Sequence, residues 1–236
     1  MYFKSWYAFR GDQPIPAVIR NYVEADIPAL IAVQQESFPP PFPSELWWNE
    51  TQLLNHVRLF PEGALCVEIG GEIVGSMTGV RVQADEGIDL AADAADMADH
   101  TWEAMTDNGY ITNHQADGNT LYVVDICIRP AFRKLKLGYW LMQSMYELVI
   151  QLGMKRLLGG GRMPGYRAYK DQWTAEQYID AVLAGRVHDP VITFLLRCGR
   201  TPCRVVSNYL DDYESCNYGV LMAWHNPFME PINRRK

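Results

Sequence analysis

The 236 residues carry 28 acidic against 21 basic side chains, for a formal charge of −7 and a pI near 5.2, and 48% of them are hydrophobic. A chain of this size buries a core without covalent staples, and its acidity excludes a generic nucleic-acid binder, which needs surplus Lys and Arg. The five cysteines form no CxxC pair and fit buried reduced thiols of a cytoplasmic protein, and the five histidines show no HExxH spacing, so no metal is expected. The opening Met1-Tyr-Phe-Lys-Ser-Trp6 lacks the apolar core of a signal peptide, and no run approaches membrane-spanning length.

Residues 1–16, interrupted by Gly11, Pro14 and Pro16, suggest an N-terminal arm, followed by a first strand over 17–23. A helix over 24–37 places Ile27, Leu30, Ile31 and Val33 at helical spacing. The run Phe38-Pro-Pro-Pro-Phe-Pro43 is a stiff break, expected to be a spacer between helices in preference to the rim of a pocket. A second helix begins at Ser44 and carries Leu46, Trp47, Leu53, Leu54 and Val57. Residues 64–69 and 72–82 form a hairpin closed by Gly70-Gly71, whose glycines permit the positive φ of a tight turn.

Between 83 and 119 the pattern lapses into an insert. Asp89, Asp93 and Asp96 recur at helical spacing and predict a short acidic helix with a solvated face. The excursion from His100 to His114 is long for a compact domain, as lids and binding loops are. Beyond the segment 120–152, taken up next, a strand over 155–158 runs into Gly159-Gly-Gly-Arg-Met-Pro-Gly165. Helices follow over 174–184 and 189–198, then strands over 204–207 and 218–224, with a tail over 229–236. Only one βαβ unit is present. That excludes a regular barrel and predicts a single α/β (α+β mixed) domain over 17–228, with helices on both faces of a mixed sheet.

The most informative stretch is 120–152. The strand Thr120-Leu-Tyr-Val-Val-Asp-Ile-Cys-Ile128 meets Arg129-Pro130, then the turn Arg133-Lys-Leu-Lys-Leu-Gly138, then an amphipathic helix. Such a turn presents backbone N–H groups and the positive end of a helix dipole to an anion, most simply a phosphate. Arg133, Lys134 and Lys136 concentrate positive charge there against an acidic background.

The run Asp125-Ile-Cys-Ile-Arg-Pro-Ala-Phe-Arg-Lys-Leu-Lys-Leu-Gly138 resembles the acetyl-CoA-binding segment of the GNAT acetyltransferases, in which a strand, a Pro and an Arg/Gln-x-x-Gly-x-Gly/Ala turn precede a long helix. The element order is similar over essentially the whole chain, which implies the GNAT-like, mostly antiparallel twisted sheet. The likeness extends to GNAT segments fused to carbon–nitrogen hydrolases, through Phe-Pro-x-Glu-Leu-Trp-Trp, His-Thr-Trp, Gly-Arg-x-Pro-Gly-Tyr and Asn-Tyr-Leu-x-Asp-x-Glu-Ser segments. Two positions depart from the family pattern. Lys136 replaces the first glycine of the turn, and Leu195 replaces a late-helix Tyr, with Arg200 where a Phe is usual.

The resemblance implies transfer of an acetyl group from acetyl-CoA to an amine of a small molecule or peptide, without metal. Main-chain groups of Ile126, Cys127 and Ile128 would pair with the pantetheine arm, and Arg133, Lys134, Leu135, Lys136, Leu137 and Gly138 would cradle the pyrophosphate. Asp125, a charge inside an apolar strand, is either the base or a buried structural partner. Tyr209 or Tyr166 could stand in for the missing acid. His100, Trp102, Arg162 and Tyr166 are candidates for the acceptor pocket, and Gly159 to Gly161 suit close approach of a ligand. The Lys136 and Leu195 departures keep a second function open, an acyl-CoA-binding or sensing module without turnover. The partners implied are an amine substrate, with no nucleic acid or membrane, and a homodimer is a family-level expectation.

Overall fold

The structure is a computed structural model that describes residues 1–84 and 100–229. Eight strands form one sheet: β1 (Phe3–Arg10), β2 (Gln13–Asn21), β3 (Ala64–Ile69), β4 (Glu72–Val82), β5 (Thr120–Ile128), β6 (Arg156–Arg162), β7 (Thr201–Val206) and β8 (Gly219–His225). Their spatial order is β1-β2-β3-β4-β5-β6-β8-β7. Only β5 and β6 run parallel; the other neighbours are antiparallel. The helices are α1 (Ile27–Ser37), α2 (Glu50–Leu59), α3 (Trp102–Thr106), α4 (Leu137–Gln151), α5 (Ala175–Leu183) and α6 (Ile192–Arg197).

The expected arm is instead strand. Gly11 (φ +60°) and Asp12 close a two-residue turn, and β1 pairs with β2 along its whole length. Pro14 and Pro16 are tolerated because β3 reaches only as far as Ala17, so neither proline costs a ladder bond on that side. The expected acidic helix over Asp89, Asp93 and Asp96 lies outside the described residues.

The α4 helix buries Leu137, Leu141, Met145 and Leu148 in one stripe, which holds the crossover between β5 and β6 against the sheet. Gly138 lets the start of α4 pack closely on α6: a Cβ there would stand 3.2 Å from the Phe194 ring. Asp189 starts α6 by accepting from the N–H groups of Val191 and Ile192, each at 2.9 Å. One continuous apolar core runs through the sheet and these helices. Among the described residues no helix is long and apolar enough to cross a membrane, and no His/Cys/Asp/Glu cluster could hold a metal ion.

Candidate active site

The sheet opens at its middle. β5 and β6 pair only at Thr120, Leu121 and Tyr122, opposite Arg156, Leu157 and Leu158, and from Val123 onward they part. Opposite β4, the register slips between Thr78–Asp125 and Gly79–Val123, so Val124 is a bulge residue. Its carbonyl accepts the Trp102 indole N–H at 2.8 Å. Bulge and split together leave residues 123–128, still paired to β4 on one edge, facing a cleft of about 1150 Å³ on the other.

The cleft ends at the turn before α4. Lys134 (φ +70°) and Lys136 (φ +59°) are both left-handed, and the first amide with an acceptor is Trp140, bonded to the Lys136 carbonyl at 3.1 Å. The N–H groups of residues 134–139 have no hydrogen-bond partner among the described residues, a concave row of donors at a helix N-terminus. Leu135 and Leu137 are buried and pin this row to the core, while the Lys134 and Lys136 side chains are exposed. The Lys136 side chain therefore does not fill the cradle. Arg133 is engaged elsewhere, donating to the carbonyls of Ser37 (2.9 Å) and Ile128 (3.3 Å), so its guanidinium braces the turn.

Asp125 stands on the α2 side of β5, half-buried, with Oδ2 buried and without a partner. Burial pushes its carboxyl up to about 6, against the opposing pull of the Cys127 thiol, the Ile126 amide, the Trp48 indole and the Arg162 charge. Cys127 faces Ser76 Oγ at 3.2 Å, and burial pushes its thiol well above the ordinary range, so it is no nucleophile at neutral pH. Thr78, opposite Asp125 in the ladder, hydrogen-bonds Tyr22 Oη (2.9 Å), which meets His56 Nδ1 (3.0 Å), while His56 Nε2 donates to the Gly109 carbonyl (2.7 Å). A carbonyl only accepts, so Nδ1 takes the Tyr22 proton. Burial lowers the His56 pKa to about 4, which keeps the ring neutral. No spacing in the sequence flagged His56 or Tyr22.

Tyr209 is buried against the other lip. Its hydroxyl accepts the Gly160 N–H (3.1 Å) and meets Tyr122 Oη (2.9 Å). Gly160 and Gly161 line the cleft, while the space left by each missing Cβ of the three β6 glycines is taken by the protein's own atoms. A Cβ on Gly160 would stand 2.0 Å from Tyr209 Cζ, one on Gly161 2.7 Å from Leu195, and one on Gly159 3.0 Å from Val123.

Arg162 ends β6 at the cleft, bonded to Asp212 (2.8 and 2.7 Å) and Glu214 (3.0 Å), with its guanidinium carbon 5.0 Å from the Phe42 ring centroid. The Pro-rich run is thus a rim as well as a spacer, with Phe38, Pro39, Pro40, Pro41 and Phe42 lining the cleft. Trp102 lines it too. Two candidates do not. Tyr166 packs against Tyr178 and Tyr218 and donates its hydroxyl to the Trp173 carbonyl (3.1 Å), and His100 is absent from the lining.

A split parallel pair, a bulged strand and an open amide turn before the crossover helix define an acyl-CoA-type acyltransferase architecture. The description of the acetyltransferase (GNAT) family matches residues 27–170. The chain belongs to that family and is by class an N-acetyltransferase. It is 54% identical to "Uncharacterized N-acetyltransferase YkwB" of Bacillus subtilis over 225 residues, covering 95% of this chain and 96% of that one. It is 38% identical to "Probable hydrolase YhcX" of the same organism over 89% of this chain but only 38% of the other, in keeping with the expected likeness to GNAT segments fused to hydrolases. Among solved structures, a GNAT-like decarboxylase, GphF, in complex with isobutyryl-CoA superposes with a TM-score of 0.64 at 22% identity, covering 88% of this chain and 98% of that one.

Proposed function

We propose that the protein transfers an acetyl group from acetyl-CoA to an amine of a small molecule or peptide. The observation that carries this is the stretch of β5 left open on its β6 edge, running directly into the row of free amides at 134–139. An extended thioester arm has strand donors and acceptors to pair with along 126–128, and a diphosphate has six N–H groups and a helix dipole to meet. Support also comes from the solved GNAT-like structure that holds an acyl-CoA.

In this reading Asp125 takes the proton of the incoming ammonium, since its pKa of about 6 leaves it ionised at neutral pH yet basic enough to act. The Thr78–Tyr22–His56 chain fixes the floor beneath it. Tyr209, beside the split, delivers a proton to the departing sulfur. Trp102, the Phe38–Phe42 rim and Arg162 shape the acceptor side.

Isothermal titration with acetyl-CoA, followed by thiol release across a panel of amines, tests the reading. Micromolar binding with turnover is expected, and no heat at millimolar acetyl-CoA would remove it. Leu195, in place of the late-helix Tyr, favours a second reading, binding without turnover. Thiol release with any amine would contradict it.

A further inference from the structure

Arg200 follows α6, is 2% exposed, and lines the cleft where β5 and β6 separate. One terminal nitrogen donates to the carbonyls of Gly159 (2.6 Å) and Met222, and it lies 3.3 Å from where a Cβ on Gly159 would stand. Nε is buried without a partner. No carboxylate among the described residues pairs with this cation. The titratable groups close enough for their charge to act on it are Tyr146 on α4, Tyr122 on β5 and Tyr209, the last two across β6 on the Gly160 face, with Cys203 on β7 and Cys198 after α6. Burial raises all three phenols, and lifts the Cys198 thiol to about 12, so none of these four is an anion at neutral pH.

A desolvated cation ringed by neutral groups is costly unless an anion arrives to face it. Burial pulls the guanidinium down from its usual value, but arginine keeps its proton in proteins. The reaction proposed above creates one new anion. The ammonium gives one proton to Asp125, its nitrogen bonds to the acyl carbon, the C–S bond breaks with its electron pair going to sulfur, and the second N–H proton, released as the amide forms, passes to solvent.

We propose that Arg200 binds the coenzyme A thiolate as it leaves, before the Tyr209 hydroxyl, across β6 on the Gly160 face, protonates it. The inference rests on the acyl-CoA reading above. Asp125 faces the α2 side, and the Gly159 face holding Arg200 is also that of Gly161, packed on α6. Proton acceptor and thiolate holder thus stand on opposite faces of the opened sheet, and negative charge moves from one toward the other during the transfer. Leu195 stands where the family pattern has its late-helix phenol, and the fixed positive charge of Arg200 follows five residues later.

The test compares affinities for coenzyme A and acetyl-CoA by calorimetry from pH 6 to pH 9. The phosphates are common to both ligands, so the ratio reports the thiol alone. A free thiol ionises near ~8.5, and a bound one ionising earlier makes coenzyme A bind relatively more tightly as pH rises. For the native protein the ratio is expected to climb at least about tenfold, for R200K to climb partly, and for R200M to stay flat with acetyl-CoA affinity retained. A flat ratio in the native protein overturns the proposal, as does R200M weakening both ligands by the same factor. If R200M does not fold, the native and R200K titrations decide by the same criterion. A native protein that binds neither ligand overturns the acyl-CoA reading itself and this inference with it.

Discussion

Replacing Asp125 by Asn keeps the shape of the side chain and removes its charge, and the structure sets the size of the effect. The carboxyl titrates at 3.8 when solvated and at about 6 in the fold, because burial disfavours its anion. Between those values the unfolded chain has lost the proton that the folded chain retains. Stability therefore falls as pH rises through this window, by about 3 kcal/mol once it is passed. The Asn amide brings its own penalty of about 1–2 kcal/mol, since Oδ2 lies buried with no partner to receive an N–H.

The D125N variant is thus expected to be less stable than the parent at pH 4 and more stable by about 1–2 kcal/mol at pH 7. For a chain of this size that is about 2–8 °C in Tm. His56, with its pKa lowered to about 4, makes both proteins lose stability as pH falls below 6.5, and this contribution cancels in the difference. Urea unfolding at intervals from pH 4.5 to 7.5 measures the effect. The same variant is expected to lose about 100-fold or more in kcat/KM, along with the rise of kcat/KM through pH 6. A stability difference that does not move with pH would refute the buried charge, and unchanged kcat/KM would refute the base.

Lys136→Gly removes a left-handed L-residue, relieving about 1 kcal/mol, while adding a similar loss of chain entropy. Tm is expected to stay within a few degrees and coenzyme A affinity within about fivefold, because the amide row is retained. A calorimetric loss beyond about tenfold would assign the ammonium a phosphate contact. Gly160→Ala drives a methyl into the Tyr209 ring and is expected to cost about 2 kcal/mol or more by urea unfolding, with a fall in kcat. A neutral outcome would mean that Tyr209 does not seat against β6.

The motif strand, its turn and its helix were legible because one apolar alternation, a proline and a cluster of cations all fall within 120–152, and the observed β5 and α4 occupy that stretch. The β3–β4 hairpin was equally plain from Gly70-Gly71. β1 was not, because prolines that normally stop a strand are harmless where no third strand needs their N–H groups. Local pattern singled out Asp125, Tyr209 and Arg162, which line the cleft, but could not find His56, whose partners Tyr22 and Gly109 are 34 and 53 residues away. It also placed Tyr166 at the pocket, because an aromatic after a glycine loop carries no local sign of which way its ring turns. The packing role of the glycine run was hidden for a related reason: the space a missing Cβ leaves is filled from afar, by Tyr209, Arg200 and Leu195.

The two lips of the cleft come from different lengths of chain. The strand edge and amide turn fall within 27–170, the stretch that the family shares, whereas Arg200, Tyr209 and the Asp212 anchor of Arg162 lie beyond it. One wall of the cleft is therefore built from chain beyond that stretch, and substitutions after residue 170 alter this wall while leaving the β5 edge and the amide turn in place.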